Sequence, residues 1–368
     1  VSTSTEKIEQ LKLDRANKNE ALNKIEKDIT DQFNLLEDLK GNLVKIENYT
    51  HNVGKCYRCH NTIEPRISEQ WFVSMKDLAK RAADAVRNDE VKFVPKRYEK
   101  TFFNWMNNIK DWCISRQIWW GHQLPVYYCE DCGEIVVLDK TPDKCPKCGC
   151  TKFTRDEDTL DTWFSSALWP FSTLGWPNED AEDFKTFYPT DTLVTGYDII
   201  QAWVSRMIYS GLEYTGKKPF DNVFIHGIVR DSQGRKMSKS LGNGIDPLEV
   251  IDEYSTDALR FSLILGITAG NDIRYMPEKL ESSSNFANKL WNASKFVLMN
   301  LEDYDGIYDE KDLCKEDKWI LSKLNTLVKE VTNNIDNFDI GVSTQKIYDF
   351  IWNEFCDWYI EICKTRLY

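Results

Sequence analysis

The sequence predicts an α/β fold: a parallel sheet, a cysteine-rich metal module inserted beside it, and an all-α C-terminal segment. Three observations predict it. The short apolar runs at 192–195 and 223–225 flank Ile199, Ile200, Trp203, Val204, Met207 and Ile208, which recur at helical spacing. Strand, helix, strand in that order makes the two strands parallel, with a right-handed crossover. Two knuckles, Cys129-x-x-Cys132-Gly133 and Cys145-x-x-Cys148-Gly149, follow one another at the spacing of a four-thiolate zinc ribbon. From about Asp312 onward, Trp319, Ile320, Leu321, Leu324, Leu327 and Val331, then Ile347, Phe350, Ile351, Phe355 and Trp358, keep the period of packed helices.

Size and composition bound the rest. The 368 residues suffice for two or three domains, and 42% hydrophobic content can build real cores. No apolar run approaches the roughly 20 residues that a membrane-spanning helix needs, and no secretion signal opens the chain. An odd count of 11 cysteines, several in Cys-x-x-Cys pairs, then points to metal sites in a reducing cytoplasm rather than to disulfides. The net charge of −12 argues against a generic nucleic-acid coat, yet leaves room for a local basic surface. The chain opens on Val1 rather than Met, as a fragment or a processed start would.

Taken in order, residues 1–42 are rich in Glu, Lys, Asp and Asn. Ile8, Leu11, Leu22, Ile25, Ile29, Phe33, Leu36 and Leu39 predict two amphipathic helices, a spacer or remnant. Leu43-Val44-Lys45-Ile46-Glu47 alternates as a strand does. Cys56-Tyr57-Arg58-Cys59-His60 supplies only two of the four ligands that zinc needs, an incomplete second site. A helix is expected over 75–86. Trp105, Trp112, Trp119 and Trp120 read as core packing, and His122 as a structural or substrate-edge histidine rather than a catalytic base. In the ribbon, the glycine after each second cysteine permits the turn that aims backbone N–H groups at sulfur. All four positions are protein ligands, so the site is structural, and Cys150 is a bystander. Asp156, Glu157, Asp158 and Asp161 form a solvated acidic loop, with a divalent-cation site as the alternative.

The remaining elements converge on one edge of the sheet. Gly196-Tyr197-Asp198 follows the first strand and His226-Gly227 the second. Just beyond lies Arg230-Asp231-Ser232-Gln233-Gly234-Arg235-Lys236-Met237-Ser238-Lys239-Ser240, after which Asp246, Pro247 and Glu249 carry the signals of a capped helix start. Open α/β sheets bind ligands at that edge. Glycine for close backbone approach, a carboxylate for ribose hydroxyls and cations for phosphates are what a nucleotide site needs. A glycine-flanked lysine loop also suits a triphosphate whose leaving pyrophosphate gains charge.

The stretch FIHGIVRDSQGRKMSKSLGNGIDPLEVIDEYSTDALRFSL closely resembles the signature-loop region of class I aminoacyl-tRNA synthetases, and within that class its valine-specific branch. Trp120-Gly121-His122 and Ile199-Ile200 favour that branch over its siblings. The resemblance runs from about Leu43 to Tyr368. It implies the second half of a Rossmann-type parallel sheet, with these regions: 1–42 helical, 43–128 connective, 129–150 zinc ribbon, 151–270 the catalytic half with the lysine loop, 271–311 a helical linker, and 312–368 the start of an anticodon-binding bundle. It implies ATP-dependent activation of valine to valyl-adenylate and transfer to tRNA(Val), with Mg2+ accompanying ATP and Zn2+ as a structural ion, in an enzyme monomeric at full length.

Carried onto this sequence, the resemblance assigns Lys236, Ser238 and Lys239 to catalysis. It assigns Lys239, Gly196, Asp198, His226 and Gly227 to ATP, with Asp198 on the ribose, and Trp163 and Ile199 to the amino-acid pocket. Cys129, Cys132, Cys145 and Cys148 hold metal; in the family an earlier Cys-x-x-Cys pair, absent here, completes the site of Cys56 and Cys59. The class carries a second signature, His-x-Gly-His, and none of His51, His60, His122 and His226 lies in one. The chain is therefore expected to match the middle and later part of a longer enzyme and to be inactive alone. A non-catalytic assembly fragment and an isoleucine-type sibling are the competing readings.

Overall fold

The computed structural model describes residues 2–39, 45, 47–56, 59–65, 67–238, 241–301, 304, 306, 307 and 309–367. They divide into two units, Val1–Ser68 and Glu69–Tyr368.

In the first unit one helix runs Ser2–Leu39, where two were expected. No proline or glycine falls inside it, and most of its residues have favourable helix propensity, so nothing breaks the run before Gly41. The alternation at 43–47 lies mostly outside the described residues; Lys45 and Glu47 belong to no strand. A bridge between Lys55 and Thr62 closes a short hairpin around Cys56 and Cys59.

The second unit is built on a three-stranded parallel sheet: β1 (Lys92–Val94), β2 (Thr190–Gly196) and β3 (Phe220–His226). Their order is β1-β3-β2, so the last strand in sequence is central. The two strands expected from sequence are parallel as predicted, Val223 lying beside Leu193, and β1 is an addition. Alternation along β3 sorts its side chains. Val223 and Ile225, both 0% exposed, enter the main core with Met207, Ile208, Val204 and Phe102, while Phe224 faces the other way. Each fully buried aliphatic or aromatic side chain contributes about 1.5–3 kcal/mol, so this cluster anchors the strand tips.

The crossover from β2 to β3 begins with a tight turn Tyr197–Ile199, widens at Ile200–Val204, and continues as the helix Ser205–Tyr214. A glycine at position 211 would, from sequence, be a natural place for this helix to end. Instead Gly211 sits inside the helix because a Cβ there would meet the Tyr188 hydroxyl at 3.0 Å and Pro219 at 3.1 Å; its job is close packing. The helix expected at 75–86 spans Lys76–Arg87 and packs against the crossover helix.

An antiparallel ribbon of Val126–Cys129, Ile135–Val137 and Phe153–Arg155 carries the paired knuckles. Of the acids that follow, Glu157 is exposed as a solvated loop would have it, but Asp156, Asp158 and Asp161 are each engaged, and among the described residues the four form no metal-holding group. Asp156 accepts from Trp71 Nε1 at 3.0 Å and from the Tyr128 hydroxyl at 2.7 Å. Asp158 accepts from Gln117, and buried Asp161 takes the Trp112 indole N–H at 2.9 Å and pairs with Arg116 at 3.1 Å. These carboxylates pin the Ser115-Arg116-Gln117 segment. The tryptophans divide: Trp112 is buried and Trp105 half-buried, whereas Trp119 and Trp120 are 104% and 92% exposed, contrary to the core reading.

Beyond the lysine loop, Asp246 caps the helix Pro247–Tyr254 by accepting from Leu248 N at 2.9 Å. Helices Thr256–Ile264 and Pro277–Met299 follow, then Lys315–Asp336 and a helical run from Ile340 to Leu367. Phe261, Phe286, Tyr348 and Trp352 stack in series across these helices, and Arg366 and Tyr359 close on buried Asp317. Among the described residues no helix is long and apolar enough to cross a membrane.

Candidate nucleotide site and metal centre

The carboxyl ends of β2 and β3 bring four of the expected residues together. Gly196 lies opposite His226 in register, Asp198 follows in the turn, and Gly227 continues from His226. A Cβ on Gly196 would approach Asp198 Oδ1 to 2.8 Å and His226 Cε1 to 3.6 Å, so that position stays bare to let the turn fold over it. Lys236 reaches this edge from the loop: its Nζ donates to Asp198 Oδ2 at 2.9 Å. A cation and a carboxylate, 38 positions apart, thus meet where β2 ends. Lys239 lies outside the described residues.

The loop is held by its own base. Asp231, 6% exposed, accepts from the backbone of Gln233 at 3.1 Å and Arg235 at 2.8 Å, from Arg235 Nε at 2.7 Å, and from Asn243 Nδ2 at 2.9 Å. Asn243 in turn accepts from Ser238 N at 2.9 Å. One amide therefore bridges the base of the loop to its tip. The Asn243 hydrogen bond does most to lower the Asp231 carboxyl; burial opposes it, Arg235 adds to it, and the group ends at about 2. Gly234, at φ +80°, makes the turn that returns Arg235 to this carboxylate.

A second carboxylate, Asp272, lies behind. It accepts from Ile228 N at 2.8 Å, from the Tyr197 hydroxyl at 3.0 Å, and from Arg230 Nε. The sequence reading passed over both acids. Asp231-x-x-Gly234 is a turn signature that could have marked the first. Asp272 has no local signal, since Arg230 and Tyr197 lie 42 and 75 positions away. Gly227 also has a second duty: a Cβ there would fall 1.8 Å from Asn271 O, so the glycine admits the backbone that delivers Asp272.

The two residues expected in the amino-acid pocket occupy adjoining elements. Trp163 is on the short helix Thr162–Ser166, which packs against Ile200–Val204, and half-buried Ile199 closes the preceding turn. Trp203, read from sequence only as part of the crossover helix, joins them by donating its indole N–H to Ser166 O at 3.0 Å. His122 is exposed, and its backbone oxygen accepts from Leu160 N.

The four ribbon cysteines converge as expected, with all four sulfurs within 4.8 Å of one another. Cys129 and Cys148 are 3.5 Å apart, Cys132 and Cys145 3.6 Å. An ion about 2.3 Å from each sulfur of a tetrahedron would set them roughly 3.8 Å apart, so the cluster fits a tetrahedral thiophilic metal such as zinc. Burial pushes the Cys129 thiol up, but the N–H groups of Cys132 and Asp131 outweigh it and bring it to about 6. The Cys150 N–H pulls Cys148 down, yet the facing thiols and burial carry it to about 12. Cys150 stands outside the cluster, its sulfur accepting a hydrogen bond from Lys152 N at 3.2 Å.

Both knuckles use one turn. The first cysteine donates N–H to the residue five on, its carbonyl accepts from the residue four on, and that residue is a left-handed glycine: Gly133 at +69°, Gly149 at +76°. Cys56 repeats the pattern with Asn61 and His60, and His60 takes the left-handed place at +59°. The described residues of the incomplete site thus make the hydrogen bonds of a knuckle.

A family model described as tRNA synthetases class I (I, L, M and V) matches residues 7–276, well over half of the chain. The chain belongs to the class I tRNA synthetases. The match reaches into the N-terminal helix, earlier than the resemblance from about Leu43. A second model, the anticodon-binding domain of tRNA ligase, matches 317–368 of this synthetase chain. Valine–tRNA ligases of Clostridium acetobutylicum and Thermotoga maritima are 60% and 58% identical to it, over 91% and 95% of the chain. The chain spans only 38% and 39% of those relatives' lengths. Among solved structures, Mycobacterium tuberculosis methionyl-tRNA synthetase bound by methionyl-adenylate aligns with a TM-score of 0.64 at 19% identity, covering 86% of this chain and 57% of that one. An Agrobacterium radiobacter LeuRS in a ternary complex aligns at 0.55 and 23% identity, covering 67% and 36%. These two likenesses speak to the fold.

Proposed function

We propose that this chain is the later catalytic part of a valine–tRNA ligase, which activates valine with ATP to valyl-adenylate and passes it to tRNA(Val). The observation that carries the nucleotide reading is the meeting of Lys236 with Asp198 at the tips of two parallel strands. Asp198 is the acceptor for ribose hydroxyls, and Lys236 the cation for the polyphosphate. When ATP enters, the ribose takes over the carboxylate and frees the ammonium to turn to the phosphates. The attack of the valine carboxylate on the α-phosphate needs positioning and charge stabilisation more than a protein base. Lys236, Ser238 and Lys239 supply these from the loop; Gly196, His226 and Gly227 line the nucleotide edge. Mg2+ brought with ATP would neutralise phosphate charge. Trp163 and Ile199 measure the aliphatic side chain, and the 53–61% identity to valine–tRNA ligases favours valine over isoleucine.

The four thiolates of the ribbon hold a structural Zn2+ and leave no position for water. The regions drawn from sequence, 1–42 through 312–368, are the proposed domains, with cytoplasmic residence and a monomer at full length. The test is valine-dependent ATP–pyrophosphate exchange in the full-length protein. Lys236→Ala and Lys239→Ala should each depress it strongly; unchanged rates would refute the assignment. A second reading has its own observation: among the described residues β2 pairs on one side only, and Val194 on it is 58% exposed. A sheet edge left open in this way is a template for a further strand. On that reading the chain by itself is non-catalytic, and exchange by the chain alone decides it.

A further inference from the structure

Lys236 and Asp198 are both substantially exposed, at 59% and 37% of their side-chain area. Such a pair is too weak to fix its own geometry. Something else must set the distance between the two arms of the site. The geometry points to Asp272 as that positioning residue, an inference that rests on the nucleotide reading above.

The first arm is the β2 tip, where Tyr197 stands between Gly196 and Asp198. The second is the loop arm, where Arg230 bridges across to Lys236 in antiparallel fashion. Asp272 Oδ2 accepts from the Tyr197 hydroxyl and from Arg230 Nε, so one oxygen ties both arms. Its other oxygen accepts from Ile228 N, just past the tip of β3. Burial works against ionisation here, but these donors outweigh it and hold the carboxyl below the usual aspartate range.

Asp272 is itself held from behind. Val229 and Arg230 pair in parallel with Ile273 and Arg274. The Tyr98 hydroxyl donates to Gly270 O at 2.6 Å, and Arg97 donates to Ala269 O and Asn271 Oδ1, both at 2.8 Å. The Tyr98 ring stacks on Tyr197 at 6.0 Å and 6°. The segment 269–274 is thus a fixed bar, and its carboxylate sets the gap into which ribose and phosphates fit. Asp272 acts through Tyr197 and Arg230 and not by touching the reacting atoms.

The test is a double-mutant cycle on valine-dependent ATP–pyrophosphate exchange in the full-length protein, using Lys236→Ala, Asp272→Asn and their combination. Asp272→Asn should lower kcat by roughly ten- to a hundredfold, the scale of a small misplacement, with thermal stability nearly unchanged. The double variant should be within about twofold of Lys236→Ala, because with the ammonium gone there is nothing left for the loss of Asp272 to misplace. Losses that multiply would overturn the tie. Should Asp272→Asn fold poorly, Tyr197→Phe removes one oxygen only. It should show a smaller loss with the same non-additivity, and additivity there overturns the tie equally. If Lys236→Ala matches the parent, the nucleotide reading fails and the tie falls with it. If Lys236→Ala is impaired but the losses multiply, the tie alone fails.

Discussion

Single side chains decide how firmly the lysine loop is held. Asn243 links Asp231 to Ser238 N, so Asn243→Ala cuts a side-chain bridge from base to tip. Exchange kcat should fall roughly tenfold while the fold survives, which kinetics and a melting curve would check together. The Asp231 carboxyl also gives the loop a pH dependence. Its folded value, about 2, lies below that of an unfolded chain near 4, so its contribution is full above about pH 4 and is lost as pH falls towards 2. Amide exchange at Gln233, Arg235 and Ser238, corrected for intrinsic rates, should accelerate across that window; constant protection would contradict the clasp. Gly227→Ala should cost about 1–3 kcal/mol or more, because its Cβ collides with Asn271 O. Gly244→Ala, with nothing within 4 Å, serves as the tolerated control in the same melting experiment. Sequence showed which glycines cluster here, but Gly227's neighbour at 271 is a tertiary fact that no local pattern encodes.

Among the elements, the parallel pair β2 and β3 and the cysteine ribbon were both legible, for the same reason: each is specified by short-range spacing. β1 was not, since three residues, Lys92–Val94, carry too little periodicity to read. The exposed Trp119 and Trp120 mark the opposite failure: composition says that an indole wants cover, and cannot say whether this chain supplies it. For the ribbon, one equivalent of zinc per chain is expected on the four thiolates. Chelation should then speed amide exchange over 126–155 while leaving Phe220–His226 protected, because the ribbon's small core depends on the ion. Loss of protection in both regions at once would show that the ribbon is no separate unit. The single N-terminal helix teaches a related lesson. An apolar period was visible, but a break between two helices requires a residue that breaks them, and none is there.

At the scale of the whole chain, the half-edged sheet and the 38% coverage of related ligases lead to one expectation: valine-dependent exchange is absent from the isolated chain and present at full length. What joins the sheet to the C-terminal helices was invisible in sequence, because it is made by a turn. Gly341 lies so close to Ile267 that a Cβ would come within 2.0 Å of its carbonyl oxygen. Phe338, at φ +64°, is held in a backbone region that costs a non-glycine residue about 1–2 kcal/mol, and its ring lies 5.5 Å from that of Phe224, beside a cavity of about 300 Å³. Phe224 is two residues from His226 on the same strand. The helical domain therefore rests a stiff strut on the strand whose end lines the proposed nucleotide edge, and force applied to the distant helices has a short mechanical route to that edge. Shortening that strut by Phe338→Ala should leave both parts folded while lowering valine-dependent exchange in the full-length protein; an unchanged rate would show that the strut carries nothing to the strand tip.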